Sequence, residues 1–208
     1  SSSAASDVYK RQSVSEFSNI RQNGLRAINL KENDELINVL LIDENEDVII
    51  GTRTGYSVRF KVNAVRNMGR TATGVRGVNL REGDKVVGAS RIVNGQEVLI
   101  ITEKGYGKRT EASEYPTKGR GGKGIKTANI TAKNGPLARL VTINGNEDIM
   151  VITDTGVIIR TNVANISQTG RSTMGVKVMR LDQEAKIVTV ALVEQEIEDK
   201  SNIEDTKE

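Results

Sequence analysis

Arginine and lysine residues recur in this sequence at a nearly constant spacing, and such cations are the side chains that bind phosphate groups. One set follows a turn glycine by four residues: Arg59, Arg109 and Arg160. A second set precedes another glycine by four residues: Arg70, Arg120 and Arg171. A third set follows that same glycine by two residues: Arg26, Arg76, Lys126 and Lys177. Cations repeated in register predict a track along which the phosphates of a nucleic acid duplex could lie.

The segment KGRGGKGIK, from Lys118 to Lys126, is the densest group of glycines and bases in the chain. Glycine lets a backbone approach phosphates closely, and Lys118, Arg120 and Lys123 would supply the charge. The segment lacks the Gly-Lys-Ser/Thr ending of a phosphate-binding P-loop, which argues against a nucleotide site. A flexible, solvated loop is the alternative interpretation. We favour phosphate contact, because the bases lie in the same frame as those of the other repeats.

Catalytic chemistry finds few suitable side chains in this sequence. The chain has no His and no Cys, which excludes Ser–His and Cys–His pairs, disulfides and the usual zinc sites. Tyr56 and Tyr106 share one repeat position, but Val157 takes it in the next repeat, so we interpret them as packing residues. No catalytic residue and no metal ligand is therefore predicted.

The charge distribution is uneven along the chain. The net charge is +3, but the segment from Glu194 to Glu208 carries −5 and the rest +8. A basic body indicates a polyanionic partner, and we expect the acidic tail to be disordered. No apolar run approaches the ~18 residues that a membrane helix needs, so we expect a cytoplasmic protein that does not contact a membrane.

A repeat of about fifty residues predicts the fold. Each unit reads as four short strands; in one unit these cover Asp47–Thr52, Gly55–Lys61, Gly74–Leu80 and Lys85–Ile92. Four-stranded repeats of this length are typical of propeller blades, and continuous apolar runs indicate strands covered on both faces. We predict an all-β, propeller-like fold of antiparallel four-stranded blades, about three and a half of them.

The blades are predicted at residues 46–92, 93–143 and 144–193, with a partial blade at 13–45. In the partial blade, the apolar run LINVLLI occupies the place of the closing strand. Residues 1–12 show no counterpart in the other repeats, and we expect them to be foreign or disordered. The acidic tail covers residues 194–208.

Several stretches of this sequence resemble the C-terminal domain of the A subunit of DNA gyrase. They are GRTATGVRGVNLREGDKVVG, EVLIITEKGYGKRT, GRGGKGIKTANIT and DIMVITDTGVIIRTNVANISQTGR. The resemblance covers residues 13–193. The related A subunit of topoisomerase IV is the alternative within the same enzyme class, and usually has fewer and more degenerate blades.

The resemblance implies a β-pinwheel, a propeller-like disc in which neighbouring blades exchange strands and double-stranded DNA wraps around a basic perimeter. In the family, the wrap supports negative supercoiling by an A2B2 assembly of the complete A subunit with the B subunit. ATP and Mg²⁺ are implied only for that intact enzyme, and no cofactor is expected on this chain. The catalytic tyrosine motif is absent, so this polypeptide alone is expected neither to cleave DNA nor to hydrolyse ATP.

One departure limits what can be transferred from the family. Its QRRGGKG-like box, which is needed for wrapping, belongs to the first blade, whereas KGRGGKG here lies in the second-last blade of the chain. We therefore treat it as a loop of its own blade. Two other classes stay open: a propeller that binds proteins, and a regulatory RNA-binding module, against which the scarcity of aromatic residues argues.

Overall fold

The strands of this protein are short, antiparallel and joined by tight turns, as the repeat predicts. The structure is a computed structural model that describes residues 7–20, 22–32, 34–182 and 184–193. The acidic tail at 194–208 and residues 1–6 lie outside the described residues. No helix in the described part of the chain is both long and apolar enough to cross a membrane. The observed elements therefore agree with the predicted all-β class.

Thirteen strands and four short 3₁₀ turns make up the described fold, numbered here in chain order. The strands are β1 Val8–Tyr9, β2 Asp47–Thr52, β3 Tyr56–Lys61, β4 Val75–Arg76, β5 Val86–Ile92, β6 Glu97–Thr102, β7 Tyr106–Glu111, β8 Ile125–Lys126, β9 Leu137–Ile143, β10 Asp148–Thr153, β11 Ile158–Asn162, β12 Val176–Lys177 and β13 Ile187–Val193. The 3₁₀ turns cover Val14–Phe17, Val62–Ala64, Ala112–Glu114 and Val163–Asn165.

Each blade is built on a hairpin flanked by a long strand and a short one. In the first blade, β2 and β3 pair through a turn at Gly55, whose φ of 88° favours glycine. The long strand β5 pairs with the other side of β2, which gives the order β5-β2-β3-β8. The next blade repeats this as β9-β6-β7-β12. In the last blade, β13, β10 and β11 form the corresponding three strands.

The outermost strand of each four-stranded blade comes from the following repeat. β8 belongs to the second predicted unit but pairs with β3 of the first, and β12 pairs with β7 in the same way. This is the strand exchange that the family resemblance implies, and it is confirmed. These exchanged strands are only two residues long, whereas the sequence predicts a strand over Gly74–Leu80.

The short length has a physical cause that repeats at each boundary between blades. Directly after the exchanged strand, two consecutive backbone amides converge on one carbonyl. Thr127 and Ala128 both donate to the Gly55 carbonyl, at 2.8 and 3.2 Å. Val178 and Met179 donate to the Gly105 carbonyl in the same manner. The chain therefore leaves the ladder after two residues and turns inward over the neighbouring hairpin.

Apolar side chains of one strand serve two cores, one on each side of the sheet. Val48 and Ile50 pack with Phe60 in one cluster, while Ile49 packs on the other side with Tyr115 and further residues of the next blade. This alternation follows from the two-residue period of a strand. All six residues of β2 and all but Glu97 of β6 are buried, so the prediction of strands covered on both faces is confirmed for the run EVLII. It is wrong for the run EDIMVI, because Met150 of β10 is 36% exposed.

The run LINVLLI, residues 36–42, is predicted as a closing strand, and that prediction is wrong. Its residues form no strand, and Val39 and Leu41 are 77% and 80% exposed. The equivalent strands β5, β9 and β13 each pair with the first strand of their own hairpin. The described residues offer no such hairpin strand beside 36–42, so its backbone has no ladder to join.

Residues 7–12 occupy a place in the fold, contrary to the expectation for residues 1–12. Val8–Tyr9 pairs with β4 as β3 pairs with β8, and the Tyr9 ring packs edge-on against Phe60 with the centroids 5.4 Å apart. Residues 8–11 (VYKR) are therefore equivalent to residues 56–59 (YSVR) and 106–109 (YGKR) of the following repeats. A foreign origin of the segment stays a prediction.

Substitution of Gly124 by Ala should destabilise the protein, since this glycine precedes an exchanged strand at φ 77°. An added Cβ would stand 2.6 Å from the Ser57 carbonyl oxygen, a backbone atom that cannot move aside cheaply. We expect a loss of about 1–3 kcal/mol in the free energy of unfolding by urea. Gly119→Ala in the same loop is the matched control, because its Cβ would meet no atom within 4 Å. Equal stability of the two variants would contradict this account of the exchange.

Candidate nucleic-acid interface

The strand arginines lie in ion pairs at the blade boundaries. Arg59 Nε donates to Asp47 Oδ2 at 2.8 Å, and the two side chains are only 11% and 4% exposed. Arg59 Nη1 also donates to the carbonyls of Ala112 and Tyr115 in the next blade. A guanidinium with these contacts is occupied in joining two blades, and it is not available to a ligand on the surface.

Arg109 repeats this arrangement one blade later. Its Nη1 donates to Glu97 Oε2 at 2.8 Å, and its Nε donates to the Ile166 carbonyl at 2.7 Å. Arg160 pairs with Asp148 at 2.8 Å as well, but its side chain is 60% exposed. The prediction that these three arginines contact a nucleic acid is therefore corrected for Arg59 and Arg109, which are largely buried.

The acidic partners of these arginines follow from the sheet register. Asp47 pairs with Lys61 and Ile49 pairs with Arg59, so Asp47 and Arg59 are diagonal neighbours on one face. Burial alone would raise the pKa of Asp47, but hydrogen bonds from Thr117, Lys61 and Arg59 lower it below the usual value. Asp47 is thus held ionised in the contact between the blades.

The bases after the second glycine lie on the exchanged strands. Arg76 is on β4, Lys126 on β8 and Lys177 on β12, and all three side chains are exposed. Arg26 has no strand but is likewise exposed. Because β8 and β12 are the outermost strands of their sheets, Lys126 and Lys177 lie at the outer edges of their blades.

The loop arginines lie beside those strand bases, because each loop docks on the exchanged strand of the preceding unit. Arg120 Nη1 donates to the Arg76 carbonyl at 3.1 Å. Arg171 Nη1 donates to the Lys126 carbonyl. The structure therefore brings together two cations at each of these boundaries, one from a loop and one from a strand.

Asparagines at equivalent repeat positions donate to the neighbouring loop at three successive boundaries. The side-chain amide of Asn29 donates to the Thr71 carbonyl at 2.7 Å. The backbone amides of Asn79 and Asn129 donate to the carbonyls of Gly122 and Thr173, at 2.9 and 3.0 Å. Sequence reasoning misses these asparagines. Their spacing of fifty residues marks the position, although the backbone bonds of Asn79 and Asn129 do not require an asparagine side chain.

The glycine-rich loop exposes its three cations, Lys118, Arg120 and Lys123. It is fixed by Arg81, whose Nη1 donates to the Lys123 carbonyl at 2.8 Å and whose guanidinium stacks over the Tyr56 ring at 3.3 Å. Added Cβ atoms at its Gly119 and Gly122 positions would meet no atom closer than 4.0 Å, so one side of the loop backbone is open.

We call the outer rim the set of nine sequence-predicted bases that lie on the exchanged strands and the loops: Arg26, Arg70, Arg76, Lys118, Arg120, Lys123, Lys126, Arg171 and Lys177. Arg70 and Arg171 are half-buried and the other seven are exposed. Within the described part of the chain, one of the nine is paired with a carboxylate, Arg76 with Asp7 at 3.0 Å. An exposed ion pair of this kind contributes little to stability.

Other chemistry finds little support in the described residues. Their acidic side chains form no group of three that could hold a metal ion. Tyr115 is buried, which raises its pKa to about 12, and its hydroxyl lies 2.7 Å from Thr127 Oγ1. It therefore packs between blades and is a poor nucleophile.

The sheets, their strand exchange and the fifty-residue repeat define the class of protein: a propeller-like repeat domain of the β-pinwheel type. The model of the DNA gyrase C-terminal domain, a β-propeller, matches residues 8–43, 46–92, 96–143 and 147–194. The chain belongs to this family.

Curated relatives point to the same enzyme. The chain is 71% identical over 189 residues to the A subunit of DNA gyrase from Streptococcus pyogenes serotype M1, a match that covers 91% of the chain and 23% of that protein. It is 48% identical over 197 residues to the A subunit of DNA gyrase from Staphylococcus aureus, over 94% of the chain and 22% of that protein. The chain thus spans about a quarter of these relatives.

Solved structures share the fold. A DNA gyrase A C-terminal domain matches with a TM-score of 0.80 at 26% identity, over 90% of this chain and 63% of that one. A C-terminal domain of DNA topoisomerase IV matches with a TM-score of 0.85 at 24% identity, over 91% of this chain and 60% of that one. At that identity the second likeness concerns the fold alone, and the sequence relatives decide for gyrase.

Arg59→Met should destabilise the protein far more than Arg160→Met. The first leaves two carbonyls without their donor and leaves buried Asp47 with Lys61 and Thr117 only, which costs up to about 3–5 kcal/mol. The second removes an exposed pair, for which about 0–1 kcal/mol is expected. Urea unfolding of the two variants measures the difference. Equal losses would show that burial does not set the strength of this repeated contact.

The destabilisation caused by Asp47→Asn should become smaller as the pH is lowered. The pKa of Asp47 is lowered by folding, so its stabilising contribution is present above the unfolded value of about 3.9 and disappears as the pH falls through the folded value. The difference in free energy of unfolding between wild type and variant should therefore shrink from pH 7 to pH 3. A constant difference over that range would contradict the ion-pair assignment.

Proposed function

We propose that this chain binds double-stranded DNA along the outer rim and bends it, as the DNA-wrapping part of a complete gyrase A protein. One observation carries the proposal: cations that are exposed or half-buried recur at successive blade boundaries in the same structural positions. Arg120 beside Arg76 and Arg171 beside Lys126 are held by equivalent hydrogen bonds to a carbonyl. Phosphates along a duplex are a regularly spaced ligand that such a series fits.

Binding is expected to be mainly electrostatic and largely independent of base sequence. The outer rim consists of arginine and lysine, which contact phosphates, and its described exchanged strands are too short to enter a groove. If about six of its cations contact phosphates, the logarithm of the binding constant falls with the logarithm of salt concentration at a slope of roughly −5.

Bending the duplex costs free energy that the contacts must offset. Smooth bending of a 20–30 base-pair segment by 40–90° costs on the order of 1–6 kcal/mol. Hydrogen bonds to a charged partner contribute about 1.5–3 kcal/mol each. Several rim contacts made together can therefore offset the bend, whereas a single contact offsets only the mildest bends.

Family membership suggests that this activity serves a larger enzyme. The curated relatives are A subunits of DNA gyrase of about four times this length. We propose that the domain supports ATP-dependent negative supercoiling in the bacterial cytoplasm, within an A2B2 assembly that contains the rest of the A subunit together with the B subunit. ATP, Mg²⁺ and the DNA-cleaving residue would belong to other parts of that assembly.

Charge reversal on the outer rim tests the proposal directly. Arg70, Arg120 and Arg171 are changed together to Glu, and binding to a duplex of mixed sequence is measured at several salt concentrations. Losing three of about six contacts should change the slope from roughly −5 to about −3 and weaken binding for all sequences alike.

The matched control reverses three exposed lysines outside the outer rim. Lys85→Glu, Lys104→Glu and Lys186→Glu change the net charge by the same amount, but these residues precede β5 and β13 or lie in the turn between β6 and β7. The rim variant should bind at least tenfold more weakly than this control. Equal binding by both, or salt-independent binding through an apolar surface, would reject the rim and favour a protein-binding scaffold.

A further inference from the structure

A buried lysine lies directly beneath one of the rim loops. Lys108 is the third residue of β7 and has no exposed surface. Its Nζ donates to the Gly170 carbonyl at 2.7 Å, to the Arg171 carbonyl and to Thr173 Oγ1 at 3.2 Å. An ammonium group has three donors, so every one of them is used on the loop that carries Arg171.

The packing of a blade does not require a cation at this position. Val58 occupies the same place one repeat earlier, as the third residue of β3, and it is buried in an apolar cluster. Burying an ammonium group is costly, and burial lowers the pKa of Lys108 to about 8 while Glu114 opposes that shift. A residue kept there at such a cost is expected to perform a task other than filling space.

The loop is held at the Arg171 backbone from two directions. Lys108 binds the Arg171 carbonyl from below, and the Arg171 amide donates to Glu114 Oε2 at 2.9 Å. The Arg171 side chain then reaches across to the Lys126 carbonyl on β8. With its backbone fixed at both polar groups, Arg171 stands beside Lys126 at the blade boundary.

The preceding loop is anchored differently. There, Arg81 binds the Lys123 carbonyl from the turn before β5, while Val58 packs in an apolar cluster. Two successive rim loops are therefore each anchored through a carbonyl by a cation of the preceding unit, although the anchoring residue differs. Anchoring of a rim loop is therefore a recurring contact that does not depend on which residue packs at the Lys108 position.

We propose that Lys108 is a positioning residue of the outer rim: it fixes the loop at residues 169–173 so that Arg171 is presented to DNA together with Lys126. Lys108 does not touch DNA itself. The inference rests on the proposed function, but its effect on the loop is independent of any ligand.

Lys108→Met should separate positioning from stability. Methionine fills a similar volume without a charge, so the free-energy cost of burying an ammonium group is removed. The carbonyls of Gly170 and Arg171 lose their donor, but they lie in a surface loop and can turn toward water. The variant should therefore unfold at the same temperature or higher, while its loop becomes less ordered.

The experiment compares Lys108→Met with Lys104→Met in the whole chain. Lys104 lies in the turn before β7, and its Nζ also donates to a backbone carbonyl, that of Ala132, but it is exposed and outside the outer rim. Both variants remove one positive charge. We expect Lys108→Met to bind duplex DNA five- to twentyfold more weakly than wild type, and Lys104→Met to differ by less than twofold.

Amide hydrogen exchange gives a readout that needs no DNA. The amides of Thr169, Arg171 and Thr173 donate to the Arg109 carbonyl, to Glu114 and to the Gly170 carbonyl. Their exchange should accelerate at least tenfold in Lys108→Met, while exchange in β6 and β9 stays unchanged. Lys108→Val, which carries the residue of the preceding repeat, provides a second variant with the same expected result.

The outcomes distinguish this inference from the proposed function. If wild type shows no salt-dependent duplex binding, the proposed function fails and the exchange measurement still tests Lys108. If wild type binds but both Lys108 variants bind as tightly as Lys104→Met, the positioning role is rejected and the proposed function stands. Unchanged exchange at residues 169–173, or acceleration across the whole protein, would also reject it.

Discussion

Completion of each blade by backbone from the following repeat is the constraint on which the rest of this structure depends. Two-residue strands pair with the hairpin of the preceding unit, and the two amides that follow converge on a single carbonyl of that hairpin. Because these contacts are made by backbone, they depend little on side-chain identity. They fix the height and direction of each outer strand, and thereby the place of the base that the strand carries.

The same side chain has two different tasks in this fold, and its neighbours decide which. Arg59 and Arg109 lie twelve residues after an acid that the sheet register places diagonally opposite, so their charge is used between blades. Within the described residues, Arg120 is paired with no carboxylate, and its guanidinium donates to the Arg76 carbonyl. Repetition of a base therefore indicates a repeated role, but the role can be cohesion as well as binding.

Much of the fold could be predicted from the sequence, because turn glycines and β-branched runs repeat with a strict period. The strand Asp47–Thr52 has the predicted bounds, and the class and the exchange of strands are confirmed. The lengths of the exchanged strands could not be predicted, since they are set by hydrogen bonds to a carbonyl far away in the sequence. The strand prediction for residues 36–42 failed for a related reason, because an apolar, β-branched composition favours a strand only where a partner strand is present.

The candidate site could be predicted in part. The repeated glycines correctly indicated that Arg76, Lys126 and Lys177 share a structural position. Burial of Arg59 and Arg109 was missed, although the acid twelve residues earlier was visible in each repeat. Lys108 was missed because a lysine in a strand carries no signal of what lies above it until the next repeat is folded against it. Its counterpart in the VYKR segment, Lys10, donates to the Arg70 carbonyl and lies in residues that were expected to be foreign or disordered.

Strand exchange also has a consequence for synthesis on the ribosome. The hairpin β2–β3 emerges a whole repeat before β8, the strand that covers its outer edge. The outer edge of each hairpin is therefore unpaired until the next repeat has been synthesised. The sheets are completed in order from the N-terminal side as translation proceeds. β8 later pairs with only Tyr56 and Ser57 of the six residues of β3, so little new ladder is needed to complete each sheet.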